Sequence, residues 1–439
     1  MKAENPNIAV IGTGYIGTVF CCALANENNS VLGIDLDEKT VNQMNKGITS
    51  IHEPGISEKL SSIVEKGFFH ASTDYSELSK VNTIIVTVGT PLSEDLKADL
   101  SQVNAVAEKI GKNLKENTLI CLKSTVIPGT TERFSQIISE ESRLTLGKDF
   151  YVAFSPERIA EGNALDELNN FPIVIGSNDK KSLNKCTKFW ESSLGVETVS
   201  VSSFISAELT KLADNLWIDV NISLANLISS LAFELGVDSK EIITAANSLP
   251  KGSGKVNILN SSIGVGGSCL TKDPLFFANL LDEHGIDSKV IRTARKLNDS
   301  MPLIYIEKLN EWLTNKNIKE PRIGIIGLAF KSDTNDLRYT PMKIIFEQLK
   351  KKGQIKVHDP YVKKEEFENL VNSKVNFQDL HETIKDSHIL LFGCNHSQIS
   401  EEEVLTLIKS MEPTRLIIDG RAGYKKLREL VGKANYISI

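Results

Sequence analysis

The chain has no C-x-x-C pair. Its six cysteines (Cys21, Cys22, Cys121, Cys186, Cys269 and Cys394) are scattered over 439 residues. That excludes a disulfide framework and points to reduced thiols in a cytoplasmic setting. The seven histidines show no metal-ligand spacing, so no metal is expected. No apolar run approaches about 18 residues free of polar groups, so no membrane-spanning helix is expected. Residues 1–7 are polar and lead straight into a strand, with no secretory signal visible. Positive charge is not in excess: 50 Lys and Arg against 56 Asp and Glu give a net charge of -6. This argues against nucleic acid as the default partner but leaves room for a local basic pocket that binds phosphate. What is present is an ordinary globular composition, 41% hydrophobic and 24% charged. The length suits about two to three domains.

Ile8-Ala9-Val10-Ile11 is a short continuous apolar run, as a strand buried on both faces requires. It leads into Gly12-Thr13-Gly14-Tyr15-Ile16-Gly17 and a helix-like segment over residues 18–26. A second strand, Val31-Leu32-Gly33-Ile34, then ends at Asp35. This is G-x-G-x-x-G between a strand and a helix. Its glycines allow the tight turn, the approach of a pyrophosphate and close helix–sheet packing, with the phosphates on the helix N-terminus. Asp35 is placed for a ribose 2′-hydroxyl, and a carboxylate there repels a 2′-phosphate. Leu36 and Asp37 supply no arginine to bind one. The expected cofactor is therefore NAD, held by Gly12, Gly14, Tyr15, Ile16, Gly17 and Asp35. Further strand-like runs end at Thr87, at Thr125 and at Glu157, where ligands of open parallel sheets lie. Thr87 and Thr125 equally suit helix N-caps. Glu157 and Glu161 suit a general base with an orienting group, or else solvated surface charge. Ile173-Val174-Ile175-Gly176 reads as one more strand.

Residues 205–235 contain neither glycine nor proline. Leu209, Leu212, Leu216, Val220, Leu224, Leu227 and Leu231 recur at helical spacing, with Ile218, Ile222 and Ile228 off that stripe. A helix of about 30 residues spans about 45 Å. Apolar character on more than one face predicts burial between domains or subunits. Lys211 and Asn215, four apart, share one face. They are either an exposed edge or a lysine and an amide directed into a site. After a shorter helix over residues 239–247, Pro250-Lys251-Gly252-Ser253-Gly254-Lys255 reads as a flexible basic loop, either a phosphate cover or a solvated linker.

Then comes Gly264-Val265-Gly266-Gly267-Ser268-Cys269-Leu270-Thr271-Lys272-Asp273-Pro274. Glycine lets the backbone turn tightly and lets a ligand approach the main chain. A thiol at Cys269 can then reach a substrate carbon. Lys272 is a source of positive charge that favours thiolate, and Asp273 either holds a water or fixes the loop. The alternative is a glycine turn with a buried, inert cysteine. From Arg322-Ile323-Gly324-Ile325-Ile326-Gly327 a second α/β pattern begins, with later strands at Ile355, Ile389 and Leu416. It lacks G-x-G-x-x-G, so it suits a nucleotide with its phosphates rather than a whole dinucleotide. Lys331 and Arg421, near strand ends, can neutralise a diphosphate, or else are surface cations.

The cysteine stretch, the first glycine loop and Phe330-Lys331-x-Asp333-Thr334-x-Asp336-x-Arg338 together resemble the nucleotide-sugar dehydrogenases. These include the UDP-glucose, GDP-mannose and UDP-N-acetylhexosamine 6-dehydrogenases. The resemblance covers nearly the whole chain, with its motifs in the expected order. It implies an α/β fold of two Rossmann-like domains with parallel sheets, joined by a long central helix that also builds a dimer. It implies an NAD-binding domain over residues 1–203, a central helical domain with the cysteine loop over 204–317, and a nucleotide-sugar-binding domain over 318–439. The implied reaction oxidises a sugar C6 hydroxyl to a carboxylate with two NAD+. Cys269 resembles the nucleophile that traps an aldehyde as a thiohemiacetal and then carries a thioester. Lys211 and Asn215 resemble groups that stabilise oxyanionic intermediates, and Asp273 the aspartate that holds a catalytic water. Glu157 resembles the base of thioester hydrolysis, with Thr125 as its neighbour. Thr87, Thr125 and Arg338 resemble NAD contacts. Glu157, Arg158, Glu161, Lys211, Asn215, Gly266, Phe330, Lys331 and Arg421 resemble substrate contacts, joined by Lys255 from a partner subunit.

The signals for the sugar divide. Arg158 after Glu157, and Lys255-Val256-Asn257-Ile258, look like the UDP-N-acetylmannosamine enzymes. Ser268 stands where that branch often has histidine, and Leu270-Thr271-Lys272-Asp273 resembles the UDP-glucose branch. UDP-N-acetyl-D-mannosamine is the expected substrate, with UDP-glucose as the alternative. A two-electron hydroxy-acid dehydrogenase would leave the cysteine loop and second Rossmann-like domain unexplained. A non-catalytic protein that binds NAD and a nucleotide-sugar would have no need of Cys269, Lys211, Asp273 and Glu157 together.

Overall fold

The computed structural model describes residues 7–252, 254–409 and 416–439. The polar lead-in over residues 1–6 and Ser253 of the expected basic loop lie outside the described residues. The chain forms two compact units, Met1–Asp214 and Asn215–Ile439.

In the first unit the strands are β1 (Ile8–Ile11), β2 (Val31–Ile34), β3 (Phe69–Ser72), β4 (Thr83–Val86), β5 (Leu119–Leu122), β6 (Tyr151–Phe154), β7 (Ile173–Gly176) and β8 (Thr198–Val201). They form one sheet in the order β3-β2-β1-β4-β5-β6-β7-β8. Neighbours run parallel except β6 and β7. Ile8 of β1 is level with Val31 of β2 on one side and with Thr83 of β4 on the other. The strand order therefore reverses at β1, and the loop that follows it opens at the switch point, where ligands of such sheets bind. Ile8 and Val10 face one core, Ala9 and Ile11 the other. That two-sided burial is why these strands read as unbroken apolar runs. Strands β3 and β8 carry no such run. Phe69-His70-Ala71-Ser72 alternates, and β8 is half exposed, because both lie at sheet edges.

In the second unit the expected basic loop is a small antiparallel hairpin, β9 (Pro250–Lys251) against β10 (Gly254–Lys255). A second sheet follows, made of β11 (Arg322–Ile326), β12 (Gln354–His358), β13 (Ile389–Phe392), β14 (Leu416–Asp419) and β15 (Tyr436–Ile437). Its order is β12-β11-β13-β14-β15, parallel throughout. It too places alternate residues in two cores.

The predicted long helix is Phe204–Glu234, 31 residues. Its burial does not follow its hydropathy alone: Phe204, Ala207, Leu212, Ala225 and Ala232 are buried, and so are polar side chains. The side chains at Glu208, Lys211, Asn215, Asp219, Ser223, Asn226 and Ser229 are buried, while Leu224, Leu227 and Leu231 are 46%, 55% and 61% exposed. By length and composition this helix could cross a membrane, which the sequence reading did not anticipate. Those seven polar side chains are nevertheless enclosed by protein, the arrangement of a helix packed inside a fold.

Candidate active site

The first unit supplies the glycine loop. Gly12 has φ +87°, and a Cβ on Gly17 would lie 1.9 Å from the Gly12 carbonyl oxygen, so both positions demand glycine. Nothing approaches within 4 Å of a Cβ on Gly14, which leaves the loop open on the side where a pyrophosphate would lie. The helix Tyr15–Leu24 has no side-chain cap, so its first amides are available to an anion. Asp35 accepts from the Thr13 N–H at 2.8 Å and from the Thr13 hydroxyl at 3.0 Å, and stands half-buried at the end of β2. These features fit NAD. The Thr87 hydroxyl donates to the carbonyls of Gly12 (2.7 Å) and Ile11 (3.1 Å), so it holds the loop in shape. Thr125, half-buried, accepts at its carbonyl from the Thr90 hydroxyl, 2.6 Å away.

Glu157 is the most constrained of the predicted groups in this unit. Its Oε1 accepts from the amides of Arg158 (2.7 Å) and Ile159 (2.9 Å). Its Oε2 makes no hydrogen bond among the described residues and lies 3.3 Å from Lys123 Nζ. Lys123 is 2% exposed. It donates to the Ser155 carbonyl at 3.0 Å and sits 4.8 Å from the ring centroids of both Phe20 and Trp190. A cavity of about 20 Å³ lined by Lys123, Glu157 and Arg158 adjoins the pair. That is room for one water, which needs about 10–15 Å³. The Arg158 guanidinium is directed to the Pro172 carbonyl, with Asp214 3.9 Å away, so it anchors the entry to β7. Glu161 is half-buried. The backbone beside it is tied down by Glu53, whose carboxylate accepts from the amides of Gly162 (2.6 Å) and Ala164 (2.7 Å) and from the Tyr15 hydroxyl. Burial, and then Glu53, push the Tyr15 phenol far above its ordinary value, so it stays a donor. Through Glu53 the glycine loop and the Glu161 loop share one buried carboxylate. Lys211, 8% exposed, lies on the long helix within this unit.

The second unit supplies the thiol. Cys269 is exposed, which rules out the inert buried reading, and all six cysteines are free. Its carbonyl accepts from the amides of Lys272 (3.1 Å) and Asp273 (2.9 Å), which closes the turn into the helix Asp273–Glu283. The glycines before it are dictated by close packing. A Cβ on Gly266 would meet Phe330 Cβ at 2.6 Å, and one on Gly267 the Phe330 ring at 2.8 Å, with φ +82°. The Gly267 amide donates to the Arg338 carbonyl at 2.9 Å. The cysteine loop and the Phe330–Arg338 motif, distant in sequence, thus form one surface.

Asp273 is fully buried. Lys272 Nζ donates to its Oδ1 at 2.6 Å and Asn215 Nδ2 to its Oδ2. This corrects the expectation for Lys272: its ammonium is paired with Asp273 rather than held for the thiol. A second buried network supports the loop. Asp219 pairs with Arg295 and accepts from Asn298 Nδ2 at 2.8 Å. Asn298 in turn accepts from Asn226 (2.9 Å), which accepts from the Ser262 amide (2.8 Å), and Arg295 reaches the Leu270 carbonyl at 3.0 Å. Burial raises the Asp219 carboxyl even though Arg295 and Asn298 oppose the shift. Arg421 donates to the Ser262 hydroxyl (2.9 Å) and the Phe330 carbonyl (2.5 Å), next to half-buried Lys331. Arg338 is held by Asp336 at 2.8 Å, and Lys255 is exposed on the hairpin.

Sequence reasoning missed Lys123, Glu53, Asp219 and Arg295. A lysine directly after the fully apolar β5 was a visible signal for Lys123. The other three carry no spacing that marks them.

Family profiles of the UDP-glucose/GDP-mannose dehydrogenase family match throughout. They are the NAD binding domain over residues 6–193, the central domain over 205–300 and the UDP binding domain over 324–426. A UDP-N-acetyl-D-mannosamine dehydrogenase of Pyrococcus horikoshii is 32% identical over 421 residues, 94% of this chain and 95% of that protein. The solved structure of UDP-D-ManNAc dehydrogenase from the same organism superposes with a TM-score of 0.83 at 32% identity, covering 94% of this chain and 95% of that one. A UDP-glucose dehydrogenase structure from Pyrobaculum islandicum reaches a TM-score of 0.85 at 27% identity, over 97% of this chain and 96% of that one. A doubly wound NAD fold joined to a thiol-bearing unit with its own parallel sheet defines a nucleotide-sugar oxidoreductase. The chain belongs to the UDP-glucose/GDP-mannose dehydrogenase family and is an NAD-dependent nucleotide-sugar dehydrogenase.

Proposed function

We propose that this enzyme oxidises the C6 hydroxyl of a UDP-sugar to a carboxylate in two two-electron steps, with UDP-N-acetyl-D-mannosamine as the substrate. The observation that carries the reaction is an exposed Cys269 on a glycine-led turn that runs into the fully buried Asp273, which Lys272 and Asn215 hold. NAD+ bound at the glycine loop supplies the hydride acceptor for both oxidations. Cys269 Sγ adds to the intermediate aldehyde, and the thiohemiacetal keeps that carbon in the site until the second oxidation leaves a thioester. Lys211 and Asn215 stabilise the oxyanions, and Asp273 with Asn215 orients a water. Glu157 takes a proton from the water that hydrolyses the thioester, and Lys123 fixes the direction of its carboxylate. Hydrolysis releases the carboxylate and restores the thiol. Thr125 stands beside this chemistry. Lys331, Arg421, Phe330, Gly266, Glu161 and Arg158 serve the nucleotide-sugar, and Arg338 and Thr87 serve the cofactor side. The functional division is residues 1–203 for NAD, 204–317 for linking and the thiol, and 318–439 for the nucleotide.

The names of relatives at 32% identity over nearly all of the chain support the N-acetylmannosamine substrate. The structural likeness to a UDP-glucose dehydrogenase favours UDP-glucose as the second reading. The exposed face of Leu224, Leu227 and Leu231 supports a homodimer built on the long helix, with Lys255 serving the partner's site. A reducing cytoplasm suits a free, exposed catalytic thiol. The test is NADH formation with limiting UDP-N-acetylmannosamine, UDP-N-acetylglucosamine, UDP-glucose and GDP-mannose in separate reactions. Two NADH per sugar with the first alone is expected. One NADH per sugar would refute the thioester route, and selective turnover of UDP-glucose would replace the substrate.

A further inference from the structure

The second unit contains a cavity of about 720 Å³ that shares no lining residue with the site described above. Its walls come from the end of the long helix, the start of the helix Ser239–Asn247 and the last helix of the chain, Lys425–Val431. Lys240, Lys425, Arg428 and Lys433 line it, against two carboxylates, Asp238 and Glu241. In a chain with net charge -6, four cations around one hollow are a marked local reversal of sign. Asp238 is already engaged, capping the Lys240 amide at 2.9 Å and pairing with Arg428. Among the described residues, Lys433 Nζ reaches only the Gly236 carbonyl (3.3 Å) and Lys240 Nζ only the Ala422 carbonyl (3.5 Å). These neutral partners are ones an anion would displace. Lys425 makes no ion pair with a described residue. The rest of the wall is apolar, with Phe233 and Val237 prominent.

We propose that this cavity binds an organic phosphate of nucleotide size, and that occupancy alters the enzyme's affinity for its nucleotide-sugar. The volume lies within the range of about 300–1,000 Å³ typical of small-molecule sites. Lysine ammonium groups suit phosphate as point charges, and the apolar wall suits a base or sugar. Ala422 provides the coupling. It lines the cavity in the left-handed region, with φ +52°, a conformation strained for a residue with a Cβ. Its neighbour Arg421 holds the Ser262 hydroxyl and the Phe330 carbonyl. A ligand that shifts residue 422 shifts that guanidinium, and linkage makes the effect reciprocal. The coupling rests on Arg421 contacting the nucleotide-sugar; the binding does not.

The test uses the full chain saturated with NADH and UDP, titrated calorimetrically with ATP and separately with inorganic tripolyphosphate. ATP should bind once more, at least tenfold tighter than tripolyphosphate. A Lys425→Glu/Lys433→Glu variant should weaken ATP binding at least tenfold, with turnover in the absence of ATP unchanged. No ATP binding at millimolar concentration, unchanged binding in the variant, or equal binding of tripolyphosphate overturns the site. ATP should also change KM for the nucleotide-sugar several-fold in the wild type and not in the variant. If ATP binds and KM stays fixed, Arg421→Lys separates the causes. A raised KM in that variant overturns the coupling alone, and an unmoved KM overturns the role of Arg421 itself.

Discussion

Replacing Lys123 by Met tests whether a buried cation positions the base of thioester hydrolysis. Methionine keeps most of the stem and its packing between Phe20 and Trp190, but removes the charge and the donor to the Ser155 carbonyl. At the observed 3.3 Å and an effective dielectric of about 20, the gross attraction between Lys123 and Glu157 is about 5 kcal/mol. Desolvation of both ions offsets part of that. Removing one partner of a buried pair costs about 3–5 kcal/mol, because the other is left without its counter-charge. Glu157 keeps two amide donors on Oε1, so the low end, about 3 kcal/mol, is expected. For a unit of this size that is a fall in Tm of about 6–12 °C. In catalysis, Oε2 loses the group that sets its direction, and a misplacement of about 1 Å costs up to about 100-fold in rate. The first oxidations should be unaffected. The assay is single-turnover NADH formation combined with intact-mass measurement of quenched enzyme. The variant should form NADH at the wild-type rate and accumulate a covalent sugar adduct on Cys269. Thioester hydrolysis at the wild-type rate in a folded Lys123→Met variant would refute the reasoning. Loss of the first oxidation as well would assign Lys123 to the fold alone.

Cys269→Ser should still bind NAD but stop short of the thioester, and full four-electron turnover in it would remove the thiol from the mechanism. Gly17→Ala should weaken NAD binding at least tenfold by fluorescence titration, since its Cβ would meet the Gly12 carbonyl oxygen at 1.9 Å. Asp219→Ala should destabilise the second unit by about 3 kcal/mol in denaturant melts, because it removes the buried partner of the Arg295 guanidinium and leaves it the exposed Asp299 carboxylate at 3.0 Å. Leu227→Glu combined with Leu231→Glu should halve the mass seen by light scattering if the exposed leucine face is the subunit contact. Burial alone would raise the Asp359 carboxyl, yet hydrogen bonds from His396 and from the amides of Leu328 and Tyr361 hold it below its ordinary value. A depressed carboxyl stabilises the fold above its unfolded pKa, and that stability is lost as pH falls through the folded value. Acid melts below about pH 4 should therefore show less loss of stability in Asp359→Asn than in the wild type.

The sequence by itself determined the elements whose signal is local. Strands β1, β5 and β13 are apolar along their whole length because both faces are covered, and that shows in four consecutive residues. The glycine loop and the cysteine turn were legible because a tight turn and a close approach each need glycine at one defined place. The 31-residue helix was legible from its missing glycine and proline. Only the tertiary structure decided which groups meet. Lys272 turned out to pair with Asp273, Arg158 to face Pro172, and Lys123 to lie under Glu157. Asp219 found Arg295, 76 positions away. Such pairs leave no periodic trace, since each depends on where two elements pack and not on spacing within one. The long helix shows the same limit. Its leucine stripe announced an apolar face, but hydropathy does not say what covers it. In the folded chain Leu212 of that stripe is buried and Leu224, Leu227 and Leu231 are left exposed, while the helix also buries Asp219 and Asn226, because those find hydrogen-bond partners on the neighbouring helix and loop.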